Sequence, residues 1–295
     1  LASSGNTTQI ERIADCRCHT GENPLWHPAE RRLYWTDIPG GRLYRFDPAA
    51  GGWETCYEGG PVGGFTLQAD GGLLLFMARG AIAVRRDGGL EYLIREIPAE
   101  RESRFNDVIA DPAGGVFCGT MATASGNGRL YRLDTDGGLY VVMEGVGISN
   151  GMGFTPDRRR MYYTDSLLRR VYLFDYDEGT GALANRRIWL ETPDGEGVPD
   201  GLTVDAEGCV WSARWDGGAL YRYSPEGAEL LRIPLPARKV SSVTFGGEDY
   251  RELFVTTALA GGTRECEGEG AGALFRLRPG VRGVPEFRSR IKATH

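Results

Sequence analysis

One short strand pair recurs six times along this 295-residue chain, and that repetition limits the fold more than any other feature. The unit is an apolar strand, a tight turn and a second strand carrying an aromatic. It reads Leu33-Tyr34-Trp35-Thr36-Asp37 then Leu43-Tyr44-Arg45-Phe46-Asp47, and again Met161-Tyr162-Tyr163-Thr164-Asp165 then Val171-Tyr172-Leu173-Phe174-Asp175. The leading strands begin at Leu33, Leu73, Val116, Met161, Val210 and Leu253, so the spacings are 40, 43, 45, 49 and 43 residues. A four-stranded propeller blade has this length, and six of them make an all-β, six-bladed β-propeller with antiparallel blades. A β-sandwich would give shorter, less regular units. Aromatics alternating with polar residues at period two argue against helix.

Polar turns such as Asp111-Pro112-Ala113-Gly114-Gly115 and Asp205-Ala206-Glu207-Gly208 precede the copies. Asp, Pro and Gly suit them by supplying local hydrogen bonds, a fixed φ or a positive φ. Blades bury their faces against one another, so the ring must close. Gln9 to Asp15 are expected to add an outer strand to the blade of Leu253, giving one propeller domain over residues 10–290 behind a polar tail at 1–9.

A net charge of −6 argues against nucleic acid and anionic membrane as partners. No apolar run is long enough to span a bilayer. The basic run Arg158-Arg159-Arg160 follows Pro156-Asp157 and reads as a solvated turn. The six cysteines are scattered without a C-x-x-C pair, which favours a reduced, cytoplasmic setting. The chain begins at Leu1 rather than Met, which leaves a processed start, and with it the periplasm, open. Asn6-Thr7-Thr8 fits a glycosylation sequon but reads as accidental in such a setting.

In a propeller the innermost strand of each blade starts at the mouth of the central channel. The matching position lies 10 or 11 residues before each leading strand. It holds Glu22, Val62 or Gly63, Asn106, Asn150, Asp200, and Ser242 or a neighbour. Two carboxylates and two amides converging on one axis are expensive to desolvate without compensation. One divalent cation would compensate them, since all four offer hard oxygen donors. The absence of His and Cys from the set disfavours a structural zinc site. The other reading is mutual hydrogen bonding with channel water. Arg104, two residues before Asn106, shares its strand parity. It is placed either to bind substrate hydroxyls or an oxyanion, or to pair with a carboxylate such as Glu102. No G-x-S-x-G elbow, phosphate loop or dinucleotide fingerprint is present, and His27 lies in a turn.

Gly21-Glu22-Asn23-Pro24-Leu25-Trp26, Arg104-Phe105-Asn106-Asp107, Gly119-Thr120-Met121, Ile148-Ser149-Asn150-Gly151 and Pro199-Asp200-Gly201 together resemble the signature segments of the regucalcin/gluconolactonase/luciferin-regenerating-enzyme family, in order, from about Ile10 to Leu277. The resemblance implies a six-bladed propeller and a cation held by Glu22, Asn150 and Asp200. It implies Asp200 as general base, and Arg104 and Asn106 as contacts to a sugar lactone. Animal members carry a substrate-contacting glutamate shortly after the G-T-M segment. Here Ala122-Thr123-Ala124-Ser125 follows, the acid is missing and the segment is shorter.

The expectation is a divalent-metal-dependent hydrolase of a 1,5- or 1,4-aldonolactone such as gluconolactone, acting as a monomer or small homo-oligomer. Ca²⁺ leads the oxygen-donor cations, with Mg²⁺, Mn²⁺, Zn²⁺ and Fe²⁺ behind it. The alternatives are a hydrolase of hydrophobic lactones or phosphotriesters, with Phe65, Phe105 and Met121 near the site, and a non-catalytic propeller with a structural metal.

Overall fold

Six four-stranded antiparallel sheets hold all the strands among residues 9–292, the residues described by the computed structural model. Five sheets are built from four consecutive strands each. The sixth joins Lys239–Gly246, Glu252–Ala258 and Leu274–Leu277 to Ile10–Ala14 from the other end of the chain. Ile10 pairs with Leu277 and Ala14 with Leu274, so the ring closes with the N-terminal strand outermost, as the repeat predicts. The sequon and all but the last residue of the expected tail lie outside the described residues.

The inner strands Gly21–His27, Val62–Leu67, Phe105–Ala110, Ser149–Phe154, Val198–Val204 and Lys239–Gly246 lie side by side around the axis. Between neighbouring blades sit the aromatics of the repeat. Trp35, Tyr162, Tyr163, Trp211 and Phe254 are fully buried, and each contributes roughly 2–3 kcal/mol by leaving water. Phe65 and Phe105 belong to this packing, not to the rim of a site. The outermost strand Gly52–Glu58 is mostly exposed and carries charge, which blunts a free sheet edge.

The polar turns act as brackets on the face opposite the channel mouth. Asp111 Oδ1 accepts from the Gly115 amide at 2.8 Å while its Oδ2 accepts from Arg132. Asp205 does the same for the Cys209 amide, and also takes Trp211 Nε1 at 2.9 Å and Arg222. Each Asp thus ties its own turn to a cation two strands away, satisfying groups that burial would otherwise penalise. Arg158, Arg159 and Arg160 are exposed, as expected for a solvated turn.

After Leu277 the chain crosses this same face as a strap. It exchanges backbone hydrogen bonds with Tyr250, Ala206, Leu67, Ala69, Gly114 and Thr135. Glu286 and Phe287 of the strap line a chamber of about 50 Å³ at the bottom of the channel, with Asn23, Thr66, Asp107, Ser242 and Thr244.

Candidate functional site

Every inner strand breaks register with its neighbour just after entering the sheet. The breaks fall between Glu22 and Leu25, Val62 and Gly64, Phe105 and Val108, Asn150 and Met152, Pro199 and Leu202, and Val240 and Ser242. Such an irregularity re-aims side chains out of the pleat, and it recurs in all six blades beside the position facing the axis. Small residues follow because the strands crowd there. A Cβ on Gly151 would lie 2.3 Å from the Leu202 amide, and one on Gly201 would lie 2.2 Å from Ser242 Oγ.

The expected set comes together in one cleft of about 220 Å³ at the channel mouth. Its walls include Glu22, Arg104, Asn106, Asn150 and Asp200, joined by Thr20 and Ser166 and by the apolar Met121, Ile148, Val198 and Trp215. Met121 is the one member of the expected apolar trio that reaches the cleft. The blade-two and blade-six positions add no charge to it.

Two loops leading into the site are held by aspartates of the repeated Thr-Asp pair. Asp37 accepts from the His19 and Thr20 amides at 3.2 and 2.9 Å, two residues ahead of Glu22. Asp165 accepts from the Gly147 and Ile148 amides at 3.0 and 3.2 Å, two residues ahead of Asn150. Asn150 donates Nδ2–H to Ser166 Oγ, which in turn donates to the Pro199 carbonyl at 2.6 Å. Its own Oδ1 is buried and unpaired. Sequence reasoning missed Asp37, Asp165 and Ser166. The signal was the recurrence of Thr-Asp at the end of both second strands whose blades supply Glu22 and Asn150.

Arg104 does not pair with Glu102. Its Nη1 donates to Asn106 Oδ1 at 2.6 Å and to the Phe105 carbonyl at 2.9 Å, while Asn106 Nδ2 donates to the Ser149 carbonyl at 2.7 Å. Asn106 therefore has its oxygen engaged by Arg104 and differs in kind from Asn150. Glu102 instead accepts from Ser125 Oγ at 2.6 Å. A carboxylate thus reaches the loop after Met121 from outside it.

Burial pushes the Glu22 carboxyl well above the usual carboxylate range, and the charges of Asp200 and Asp107 add to the shift. Burial does the same to Asp200, again with Asp107 adding. Asp107, one residue past Asn106, is pushed up to about 7 by burial and leaves Oδ1 without a partner. Sequence reasoning passed over it. Burial draws Arg104 down while the same three carboxylates oppose that shift. Ionised together, the three carboxylates against one guanidinium would carry two excess negative charges, which one divalent cation would offset.

A second acidic group, Asp205 with Glu207 and Cys209, lies on the far face. Arg222 already neutralises it by binding both carboxylates.

The fold and this cleft define a propeller with an oxygen-rich centre at its channel mouth. Residues 20–259 match the model of the SMP-30/Gluconolactonase/LRE-like region, and the chain belongs to that family. It is 50% identical over 289 residues to pentonolactonase XacC of Haloferax volcanii, covering 96% of this chain and 99% of that one. It is 36% identical over 272 residues to 6-deoxy-6-sulfogluconolactonase of Pseudomonas putida, covering 90% and 93%. Among solved structures, a luciferin-regenerating enzyme superposes with a TM-score of 0.88 at 28% identity, covering 96% of this chain and 100% of that one.

Proposed function

We propose that this chain is a lactone hydrolase that opens a five- or six-carbon sugar lactone with the help of one divalent cation. The observation that carries the reading is the uncompensated donor set at the channel mouth. Glu22 and Asp200 are buried, and Asn150 turns an unpaired oxygen to the same place. All three donors are oxygens, which fits Ca²⁺ first and Mg²⁺ or Mn²⁺ next; Zn²⁺ and Fe²⁺ remain competitors. A bound cation there would supply Lewis-acid polarisation of the ester carbonyl. The pentonolactonase and sulfogluconolactonase relatives support the reaction class.

The chain's own residues supply the rest. An Asp200 carboxylate oxygen accepts a proton from the water that attacks the carbonyl carbon. A carbon–oxygen bond forms to that water, the ring ester bond breaks, and Asp200 returns its proton to the departing ring oxygen, so the hydroxy acid leaves with a new hydroxyl and gives its carboxyl proton to solvent. Arg104, held by Asn106 Oδ1, presents its remaining N–H donors to substrate hydroxyls or to the developing oxyanion. Asn106 Nδ2 keeps a second N–H for the same purpose. Thr20 and Ser166 extend the polar wall.

The apolar wall of Met121, Ile148, Val198 and Trp215 favours a second reading, a hydrolase of hydrophobic lactones. A proton-release assay on aldonolactones, alkyl lactones and phosphotriesters separates the two. Preference for aldonolactones supports the first reading, and preference for alkyl lactones or phosphotriesters overturns it. Among the described residues no helix is long and apolar enough to cross a membrane.

A further inference from the structure

Cys16 and Cys18 lie in the turn that joins the outermost strand of the last blade to the inner strand bearing Glu22. Their sulfurs are 3.1 Å apart. Arg17 between them adopts φ 52°, the left-handed region. In an extended strand residues i and i+2 share a face but stand roughly 6.5 Å apart along the chain, so the left-handed turn is what brings the thiols together. A disulfide bond is about 2.05 Å long, so the pair needs to close by roughly 1 Å.

The surroundings fit reactive sulfur. The Trp35 indole N–H is fully buried and has no hydrogen-bond partner, and its ring packs in one cluster with Cys16 and Cys18. An indole N–H is a donor only, so what it offers this pocket is stabilisation of a thiolate. The two cysteines differ in access. Cys16 is partly exposed and Cys18 is buried. The hydrogen bond the two thiols share draws Cys16 down and, with burial, pushes Cys18 up, while Cys16 Sγ also donates to the Gly272 carbonyl at 3.3 Å. The accessible sulfur is the one a reagent reaches first, and the buried one stands directly behind it.

We infer that Cys16 and Cys18 form a dithiol modification site that a small disulfide such as oxidised glutathione converts to an intrachain disulfide. The Cys16 thiolate attacks one sulfur of the reagent, forming a mixed disulfide and releasing one reagent thiolate, which takes up a proton. Cys18 then loses its proton and attacks the Cys16 sulfur, and the second reagent thiol leaves. Two electrons and two protons pass from the protein to the reagent. The site sits at a joint that matters to the fold. The Cys18 amide donates to the Gly272 carbonyl at 2.8 Å, its carbonyl accepts from the Leu259 amide, and its sulfur lies 3.6 Å from where a Cβ on Gly21 would stand.

Trypsin cleaves after Arg17, between the two cysteines, so the folded full chain is treated with oxidised glutathione, quenched by alkylation, digested and weighed. The expected product is the fragment Ile13–Arg17 joined to Cys18–Arg31, lighter by two hydrogens than the separate pair. In Cys18→Ser the glutathione is expected to stay on Cys16, and in Cys16→Ser residue 18 is expected to remain a free thiol. The exposed, free Cys266 serves as the internal control and is expected to take up glutathione in every variant. Cys16 and Cys18 both alkylated while Cys266 is modified would overturn the inference. A glutathione adduct that persists on Cys16 with Cys18 intact would overturn it too.

Discussion

Asn150 donates its Nδ2–H to Ser166 Oγ at 3.0 Å, and its own Oδ1 is left buried without a partner. The two facts are one device. Ser166 fixes the amide plane from behind and leaves the oxygen as the free end, much as an outer hydrogen bond orients a metal-bound histidine. Removing the hydroxyl lets the amide turn. Ser166→Ala is expected to weaken divalent-cation affinity by roughly 10–100-fold, read by calorimetric titration, and to cost about 1–3 kcal/mol of stability through the Pro199 carbonyl it leaves unpaired. Unchanged affinity would show that Ser166 does not orient Asn150.

Asp200 has two tasks in the proposal, and one substitution separates them. Asp200→Asn keeps an oxygen donor for a cation but cannot accept the proton. Turnover is expected to fall on the order of 10²–10⁴-fold while cation binding weakens less than in Asp200→Ala. Full turnover in Asp200→Asn would remove Asp200 from the base role.

Arg104 is held at one end by Asn106 and the Phe105 carbonyl. Lysine keeps the charge and loses the planar fork. Arg104→Lys is therefore expected to lower kcat/KM at least about tenfold, a loss of roughly 1.4 kcal/mol in transition-state binding. A lactone stripped of its hydroxyls should feel the change less. Equal losses on both substrates would mean that Arg104 does not read the hydroxyls.

Asp107 gives the metal-free protein a pH dependence of definite sign. Its folded value of about 7 exceeds the unfolded value of about 3.9, so between these limits the folded chain binds the extra proton. The stability this group contributes is full below about pH 4 and is lost as pH rises through about 7. Relative to Asp107→Asn, the chelator-treated wild type should lose stability across that window, by at most about 4 kcal/mol. Parallel curves for the two proteins in urea unfolding at several pH values would contradict the assignment.

The ring, its six blades and its closure by the first strand were legible because each follows from a repeated pattern. Leu33, Met161 and their counterparts mark the blades, and Ile10–Ala14 completes the last. The axial positions of Glu22, Asn106, Asn150 and Asp200 were legible for the same reason, as departures from a shared phase. What the pattern did not carry was the direction of single side chains. Asn106 and Asn150 occupy equivalent positions, yet one oxygen is taken by Arg104 and the other is free. That difference arises from Arg104, just ahead of one strand, and Ser166, in the turn after another, and no spacing within either segment encodes it. The strap beyond Leu277 lacks the strand alternation altogether. Its course is set by backbone hydrogen bonds to five blades' worth of turns and packing, including Phe287 against Phe154.

The most direct test of the account is turnover of an aldonolactone by protein stripped with a chelator and then given back one cation at a time. Stripping is expected to abolish proton release, Ca²⁺ or another oxygen-seeking divalent ion to restore it, and no ion to restore it in Asp200→Ala. Undiminished hydrolysis in the presence of chelator, or no hydrolysis with any ion that binds, would contradict it.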